Sequence, residues 1–245
     1  KKTGNGHEVF VVEPTREDIF PKLREIKPAI VAYSLRTGFH QYYLDLNRKL
    51  KKQFDFLSVF GGPHPTFFPE MIEGEGVDCI ARGECESAFA DLICRLEKKQ
   101  PYLETKNFWF KVKGKIFQNP LGELEQDLDK IAFPDRELLD RFKETRFSRV
   151  HNFITSRGCP FNCSYCFNHS LRQMYAGQRY IRQRSVDNVI EEIKQVASRY
   201  PLTRVHFEDD TFIINKQWLK EFAAKYPKIP FKCAVRANLV DEETI

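Results

Sequence analysis

Residues Thr155-Ser156-Arg157-Gly158-Cys159-Pro160-Phe161-Asn162-Cys163-Ser164-Tyr165-Cys166-Phe167-Asn168 carry three cysteines at the spacing C-x3-C-x2-C. Three thiolates on one tight loop can hold three irons of a cubane iron–sulfur cluster, which leaves the fourth iron without a protein ligand and open to another molecule. The apolar run Phe153-Ile154-Thr155 ahead of the loop reads as a strand ending, and Gly158 gives the turn its backbone freedom. The same cysteines also suit a four-ligand zinc site completed by His169, or three unrelated buried thiols. A disulfide does not fit, because nothing in the sequence points to an oxidising compartment.

Downstream of the loop the pattern is regular. Val186, Val189, Ile190, Ile193, Val196, Ala197 and Tyr200 keep the 3.6-residue period of a helix, with Ser185 as its N-cap and Pro201 as its stop. Arg204-Val205-His206-Phe207 then reads as a strand, a helix is expected from about Lys216 to Tyr226, and Phe231 to Arg236 reads as another strand. With the strand before the cysteines this makes a βαβαβ run, the start of a parallel barrel. Glu208-Asp209-Asp210 stands at the carboxyl end of a strand, where a barrel places its site. Three adjacent acids also suit a plain solvated loop. Arg236 ends the next strand; its guanidinium fits a carboxylate in bidentate fashion or a salt bridge to the acidic loop.

Upstream, strand-like and helix-like runs alternate as in a parallel α/β sheet. Strands are expected at Val9–Val12, Ala29–Ser34, Phe56–Phe60 and Asp78–Ala81, with helices at Asp18–Ile26, around Tyr43 to Phe54, and at Ser87–Lys98. Gly6-His7-Glu8-Val9 reads like the end of an α-to-β turn, so a further βα unit is expected ahead of it. Three loops follow strand ends, where open α/β sheets bind ligands: Ser34-Leu35-Arg36-Thr37-Gly38, Gly61-Gly62-Pro63-His64-Pro65-Thr66 and Arg82-Gly83-Glu84-Cys85-Glu86. Taken singly, each is also ordinary turn chemistry. Asn107 to Phe117 reads as a hairpin turning near Lys113-Gly114, within a connector of residues 99–149.

The run TSRGCPFNCSYCFN resembles the signature of the radical S-adenosylmethionine superfamily, with Tyr165 at its aromatic position. That resemblance implies a 4Fe-4S cluster on Cys159, Cys163 and Cys166, with S-adenosylmethionine held on the open iron. It also implies contacts to S-adenosylmethionine from Tyr165, Glu208, Asp209, Asp210 and Arg236. The three upstream loops together resemble the cobalamin-binding, flavodoxin-like (Rossmann-type) fold. The resemblance implies cobalamin contacts at Ser34, Leu35, Thr37, Gly61, Gly62, His64, Gly83 and Glu84, although the Asp-x-His-x-x-Gly element that supplies a cobalt ligand is absent and Leu35 adjoins Ser34 where that family spaces them. His64, between two prolines, is read as a contact to the cofactor tail or a local hydrogen-bonding residue.

The expected organisation is therefore α/β: a cobalamin-binding-like domain over 1–98, the connector over 99–149, and over 150–245 the first part of a radical S-adenosylmethionine partial barrel, truncated after three of six strands. The activity implied is methylation of an unactivated carbon of a small molecule. The alternatives are a radical cyclase or rearrangement enzyme, and a non-catalytic iron–sulfur or zinc module for which His169 and Cys85 are candidate fourth ligands.

With 39 Lys and Arg against 34 Asp and Glu, the net charge of +5 is mild and dispersed, which does not imply a nucleic-acid partner. No apolar run approaches a membrane span. Seven cysteines, with Cys79, Cys94 and Cys233 in apolar runs, and an oxygen-sensitive cluster suit the cytoplasm. The expected partners are a small-molecule substrate and an electron donor such as flavodoxin or ferredoxin.

Overall fold

The apolar runs near residues 30, 57 and 79 become neighbouring parallel strands in this computed structural model, which describes residues 6–242 and 244. Two compact units form. One is Val12–Glu123; the other takes Leu124 onward together with residues up to Val11.

In the first unit the chain runs α1 (Phe20–Ile26), β1 (Ile30–Ser34), α2 (His40–Lys51), β2 (Leu57–Gly61), α3 (Pro63–Phe67), β3 (Cys79–Ala81), α4 (Glu86–Glu97), β4 (Phe108–Val112) and β5 (Lys115–Gln118). The sheet order is β1-β2-β3-β4-β5, parallel through β3 and antiparallel beyond it. Successive side chains of a strand leave opposite faces. Phe60 therefore packs with Tyr33, Leu35 and Ile80 on one side, while Val59 joins Cys79, Ala81 and Leu92 of α4 on the other. The expected hairpin forms and turns on Lys113 and Gly114, both at positive φ. It extends the first sheet, because Phe108 and Phe110 alternate into the core beside β3; the stretch read as a connector thus supplies two of its strands.

Two expectations fail here. Among the described residues Val9–Val12 takes no strand conformation, and Val9 and Phe10 stay exposed. Apolar composition alone does not make a strand; a run has to be taken into a ladder along its length. The Gly-Gly-Pro-His-Pro-Thr stretch is not an open loop, since Pro63 begins the short helix α3, where a missing N–H costs nothing.

The second unit runs α5 (Lys143–Arg146), β6 (Val150–Phe153), β7 (Ser156–Arg157), α6 (Asn168–Met174), β8 (Arg182–Gln183), α7 (Val186–Arg199), β9 (Arg204–Phe207), α8 (Lys216–Lys225) and β10 (Phe231–Cys233). β6, β9 and β10 are parallel in the order β10-β9-β6, the expected βαβαβ run. The sheet is open and does not close into a barrel among the described residues. Phe153, Val205 and Phe207 face α7 and α8 and bury with Val189, Ile193, Trp218 and Phe222. The Ser185 hydroxyl accepts from the Asn188 N–H at 3.2 Å and caps α7 as expected. Among the described residues no helix is long and apolar enough to cross a membrane.

Candidate active site

The cysteine loop leaves β7, which pairs antiparallel with β8, and runs into α6. Gly158 takes φ +89°, and a Cβ there would lie 2.6 Å from the carbonyl oxygen of Tyr180. Only glycine follows this path. The loop is then pinned from α6: Arg172 donates to the Pro160 carbonyl at 2.7 Å and to the Asn162 side chain. The Cys166 N–H donates to the Cys163 carbonyl at 3.0 Å. Cys159 is buried; Cys163 and Cys166 are half-buried.

Two side chains donate to the sulfurs. Arg236 Nη1 stands 3.1 Å from Cys163 Sγ, and its guanidinium lies 3.8 Å over the Phe161 ring. Asn168 Nδ2 stands 3.6 Å from Cys166 Sγ, while its own carbonyl accepts from Tyr180 at 3.1 Å. Donors aimed at thiolate sulfur stabilise the charge that a cluster brings. The donor set fits a cluster with one open iron: three thiols on a fixed loop, two of them met by donors. Among the described residues no three His, Cys, Asp or Glu side chains gather about one point as a single ion requires. Cubane ligands each take a separate iron, so they have no need to meet. Among the described residues the four-ligand zinc shell with His169 is not assembled, and His169 Nδ1 is buried without a hydrogen-bond partner. Cys85 lies in the other unit, where its thiol faces the carbonyls of Arg82 and Gly83 and burial pushes its pKa up to about 12, which does not suit a thiolate ligand.

The acidic run separates into two kinds. Asp209 is 2% exposed and accepts from the Thr155 N–H at 3.1 Å, the Thr155 hydroxyl at 2.8 Å and the Ser156 hydroxyl. It ties the end of β9 to the start of the cysteine loop. Glu208 and Asp210 are exposed, and among the described residues their carboxylates have no hydrogen-bond partner. Arg236 does not bridge to these acids; its contacts are Phe161, Cys163 and Asn238. Tyr165 is 91% exposed at the loop tip. Beside the loop lies a cleft of about 380 Å³ whose lining includes Phe133, Ile154, Arg157 and Glu208.

In the first unit the three loops meet at the carboxyl ends of β1, β2 and β3. Thr37 Oγ1 and His64 Nδ1 stand 3.2 Å apart. The Thr66 hydroxyl donates to the Gly62 carbonyl at 2.9 Å and accepts from the Gly83 N–H at 3.0 Å. The Glu84 carbonyl accepts from Asn107 at 3.0 Å. Ser34 is exposed at the strand end, with Gly61 beside it in register. Leu35 is fully buried, a core side chain that offers a ligand only its backbone neighbourhood. Gly62, at φ +95°, is required by Leu35: a Cβ would lie 2.8 Å from the Leu35 carbonyl oxygen. His64 is buried, and burial first, then the neighbouring His40, holds its pKa below the usual imidazole value. Its ring is stacked between His40 at 3.9 Å and Phe68 at 5.1 Å. Among the described residues His40 Nδ1 is buried without a hydrogen-bond partner. An orphaned donor–acceptor atom among loops gathered at a sheet edge fits a ligand there.

The sequence did not single out His40, Thr66, Asn168 or Arg172. Asn168 and Arg172 carried a usable signal, since they are one helical turn apart directly after the last cysteine.

Comparison with known proteins agrees with this layout. Residues 2–93 match the B12 binding domain and residues 153–245 match the Radical SAM superfamily. The uncharacterized methyltransferase PH0819 of Pyrococcus horikoshii is 33% identical over 224 residues, covering 86% of this chain and 47% of that protein. The anaerobic magnesium-protoporphyrin IX monomethyl ester cyclase of Rubrivivax gelatinosus is 25% identical over 246 residues, covering 93% of this chain and 42% of that protein. The chain thus spans a little under half the length of these relatives. The fold is shared with the radical S-adenosylmethionine methyltransferase TsrM of Kitasatospora setae, solved with cobalamin and a [4Fe-4S] cluster bound, at a TM-score of 0.71 and 17% identity over 94% of this chain and 48% of that one.

Proposed function

We propose that this chain, a B12-binding domain followed by a radical S-adenosylmethionine domain, is the cofactor-bearing part of a cobalamin-dependent methyltransferase that acts on an unactivated carbon of a small molecule. The observation that carries the proposal is the cysteine loop, held by Asp209 and α6 and joined in one chain to loops fit for a corrinoid. When bound, the reduced cluster supplies the electron that cleaves S-adenosylmethionine, and cobalamin carries the methyl group.

Cys159, Cys163 and Cys166 hold the cluster, and Arg236 and Asn168 stabilise its sulfur charge. Glu208 and Asp210, whose carboxylates have no hydrogen-bond partner among the described residues, take the methionine ammonium. Asp209 positions the loop. The second donor face of Arg236 takes the methionine carboxylate, and Tyr165 borders the bound molecule. Ser34, Thr37, Gly61, Gly62, His64, Gly83 and Glu84 line the cobalamin site, with Leu35 behind them and His40 added to them. The neutral imidazole of His64, fixed by Thr37 and two ring neighbours, binds the cofactor tail by contact and hydrogen bonding. A reduced cytoplasmic setting and a flavodoxin or ferredoxin donor suit this chemistry.

Anaerobic reconstitution tests the reading. About four irons and four sulfides per chain, with S-adenosylmethionine cleaved to 5′-deoxyadenosine, are expected. A triple Cys→Ala variant at 159, 163 and 166 that keeps its iron and sulfide overturns it. The match to a cyclase favours a second reading, a radical ring closure that uses the same cofactors. A product that has gained no methyl group would select it.

A further inference from the structure

The side-chain amide of Asn168 is engaged at both ends. Its Nδ2 stands 3.6 Å from Cys166 Sγ, and its Oδ1 accepts from the Tyr180 hydroxyl at 3.1 Å. An amide donates at one end and accepts at the other, so the tyrosine proton selects which end meets the sulfur. Turned over, the amide would aim its carbonyl lone pairs at a thiolate. Both residues are buried, so neither partner is readily replaced by water. Asn168 begins α6 two residues after Cys166, whereas Tyr180 lies beyond α6, in the segment that leads into β8. Tyr180 is fixed independently of this amide. Its carbonyl accepts from Arg182 Nε at 3.2 Å, and the buried Arg182 is held in turn by the Glu125 carbonyl at 3.0 Å. The same carbonyl and the Tyr180 ring are the atoms that a Cβ at Gly158 would meet. Tyr180 thus packs on the start of the cysteine loop with its backbone and ring, and reaches the end of the loop with its hydroxyl. Removing the hydroxyl leaves the first of these contacts in place.

We propose that Tyr180 is a positioning residue for the electron-accepting step: by orienting Asn168 it keeps a hydrogen-bond donor on Cys166 and so sets how readily the cluster is reduced. This rests on the radical-enzyme reading and adds to it the pair of side chains that controls its first step. A donor to a ligating sulfur favours the more negatively charged state of a cluster, and a buried donor does so more strongly than one that competes with water. Without the hydroxyl the amide loses the contact that fixes its sense, and the donor is on the sulfur for a smaller share of the time.

The test uses anaerobically reconstituted protein poised at a series of potentials, with the reduced cluster read by electron paramagnetic resonance. Asn168→Leu should lower the ratio of reduced to oxidised cluster at a fixed potential by about three- to tenfold, as loss of one net hydrogen bond does. Tyr180→Phe should shift it in the same direction by less, with iron and sulfide content unchanged. The double variant should match Asn168→Leu, because a residue that acts through another adds nothing once that one is gone. A wild-type midpoint potential in Tyr180→Phe overturns the proposal, and so does a double variant whose shift equals the two single shifts added together. Loss of the cluster from Tyr180→Phe also overturns it, since the hydroxyl would then hold the loop together instead of tuning its sulfur. Should Asn168→Leu take up no cluster, the potential of Tyr180→Phe decides alone. A wild type that takes up no iron and sulfide overturns the cluster assignment and this proposal with it; a wild type that carries its cluster confines any failure to Tyr180 and Asn168.

Discussion

Asp209 receives both the backbone N–H and the hydroxyl of Thr155, at 3.1 and 2.8 Å, across 54 residues of sequence. A carboxylate that is 2% exposed and meets three donors on one neighbouring segment is occupied. Its neighbours Glu208 and Asp210 are not. One acid of the run therefore holds the loop, and two are left for a cation.

The three acids should separate by experiment. Asp209→Asn loses charged acceptors worth about 1.5–3 kcal/mol each, so cluster content and stability should fall together. Glu208→Gln and Asp210→Asn should leave the cluster in place and weaken S-adenosylmethionine binding by about ten- to hundredfold. Iron analysis and calorimetric titration read the two effects. Full iron content in Asp209→Asn would contradict the positioning role.

Gly158→Ala is expected to abolish cluster incorporation. The new methyl group would meet a backbone oxygen at 2.6 Å and the Tyr180 ring at 2.9 Å, and the backbone atom has no side-chain freedom to move away. The positive φ adds roughly 1–2 kcal/mol for any residue with a Cβ. Absorbance of the reconstituted variant checks it; a wild-type cluster spectrum would mean that the loop takes another path.

Much of this was legible in the sequence because its signals are local. The cysteine spacing, the period of α7, the Lys113-Gly114 turn and the apolar runs of β1, β2 and β9 all lie within a few residues of one another. What was not legible depends on lateral partners. Val9 to Val12 has strand composition, yet among the described residues it takes no strand conformation. Nothing in the spacing of Thr155 and Asp209 reveals that they touch, so the three acids looked equivalent. Gly62 reads as a cofactor contact, and nothing in the sequence reveals that the Leu35 backbone packs against it and leaves no space for a Cβ. β7 and β8, two residues each, are too short for any periodicity.

Stability of the first unit should fall in mild acid. Burial holds the folded pKa of His64 below the ordinary imidazole value of about 6.5, so below that pH the unfolded chain binds more protons than the folded one. The contribution of His64 is complete above about pH 6.5 and is lost as pH falls from there toward the folded pKa. The chain has two tryptophans, and Trp109 lies in this unit. Urea midpoints followed by Trp109 in a Trp218→Phe background should drop between pH 7 and 5, and His64→Gln should flatten that drop. An equal drop in both proteins would assign the effect to other groups.

Glu192 should be among the most sensitive positions of the second unit. Its carboxylate is 3% exposed and lies between Arg136 at 2.9 Å and Arg184 at 2.6 Å. Those arginines also donate to the Asn152 and Ile154 carbonyls, at 2.8 and 2.9 Å, along the outer edge of β6. An unpaired strand edge invites foreign pairing, and here two guanidinium groups fill it. Glu192→Gln replaces one charged acceptor with a donor facing an arginine, and a loss of about 2–4 kcal/mol is expected. Buried ion clusters can often be replaced by apolar groups of similar volume at little cost. That should not hold here: Arg136→Met, Glu192→Leu and Arg184→Met together would leave the Asn152 carbonyl of β6 and the Ile154 carbonyl just beyond it without these donors, so the triple variant should stay destabilised. Urea unfolding followed by Trp218, with Trp109→Phe to isolate this unit, measures both. Full recovery in the triple variant would show that the arginines serve Glu192 alone and that the strand edge needs no cover.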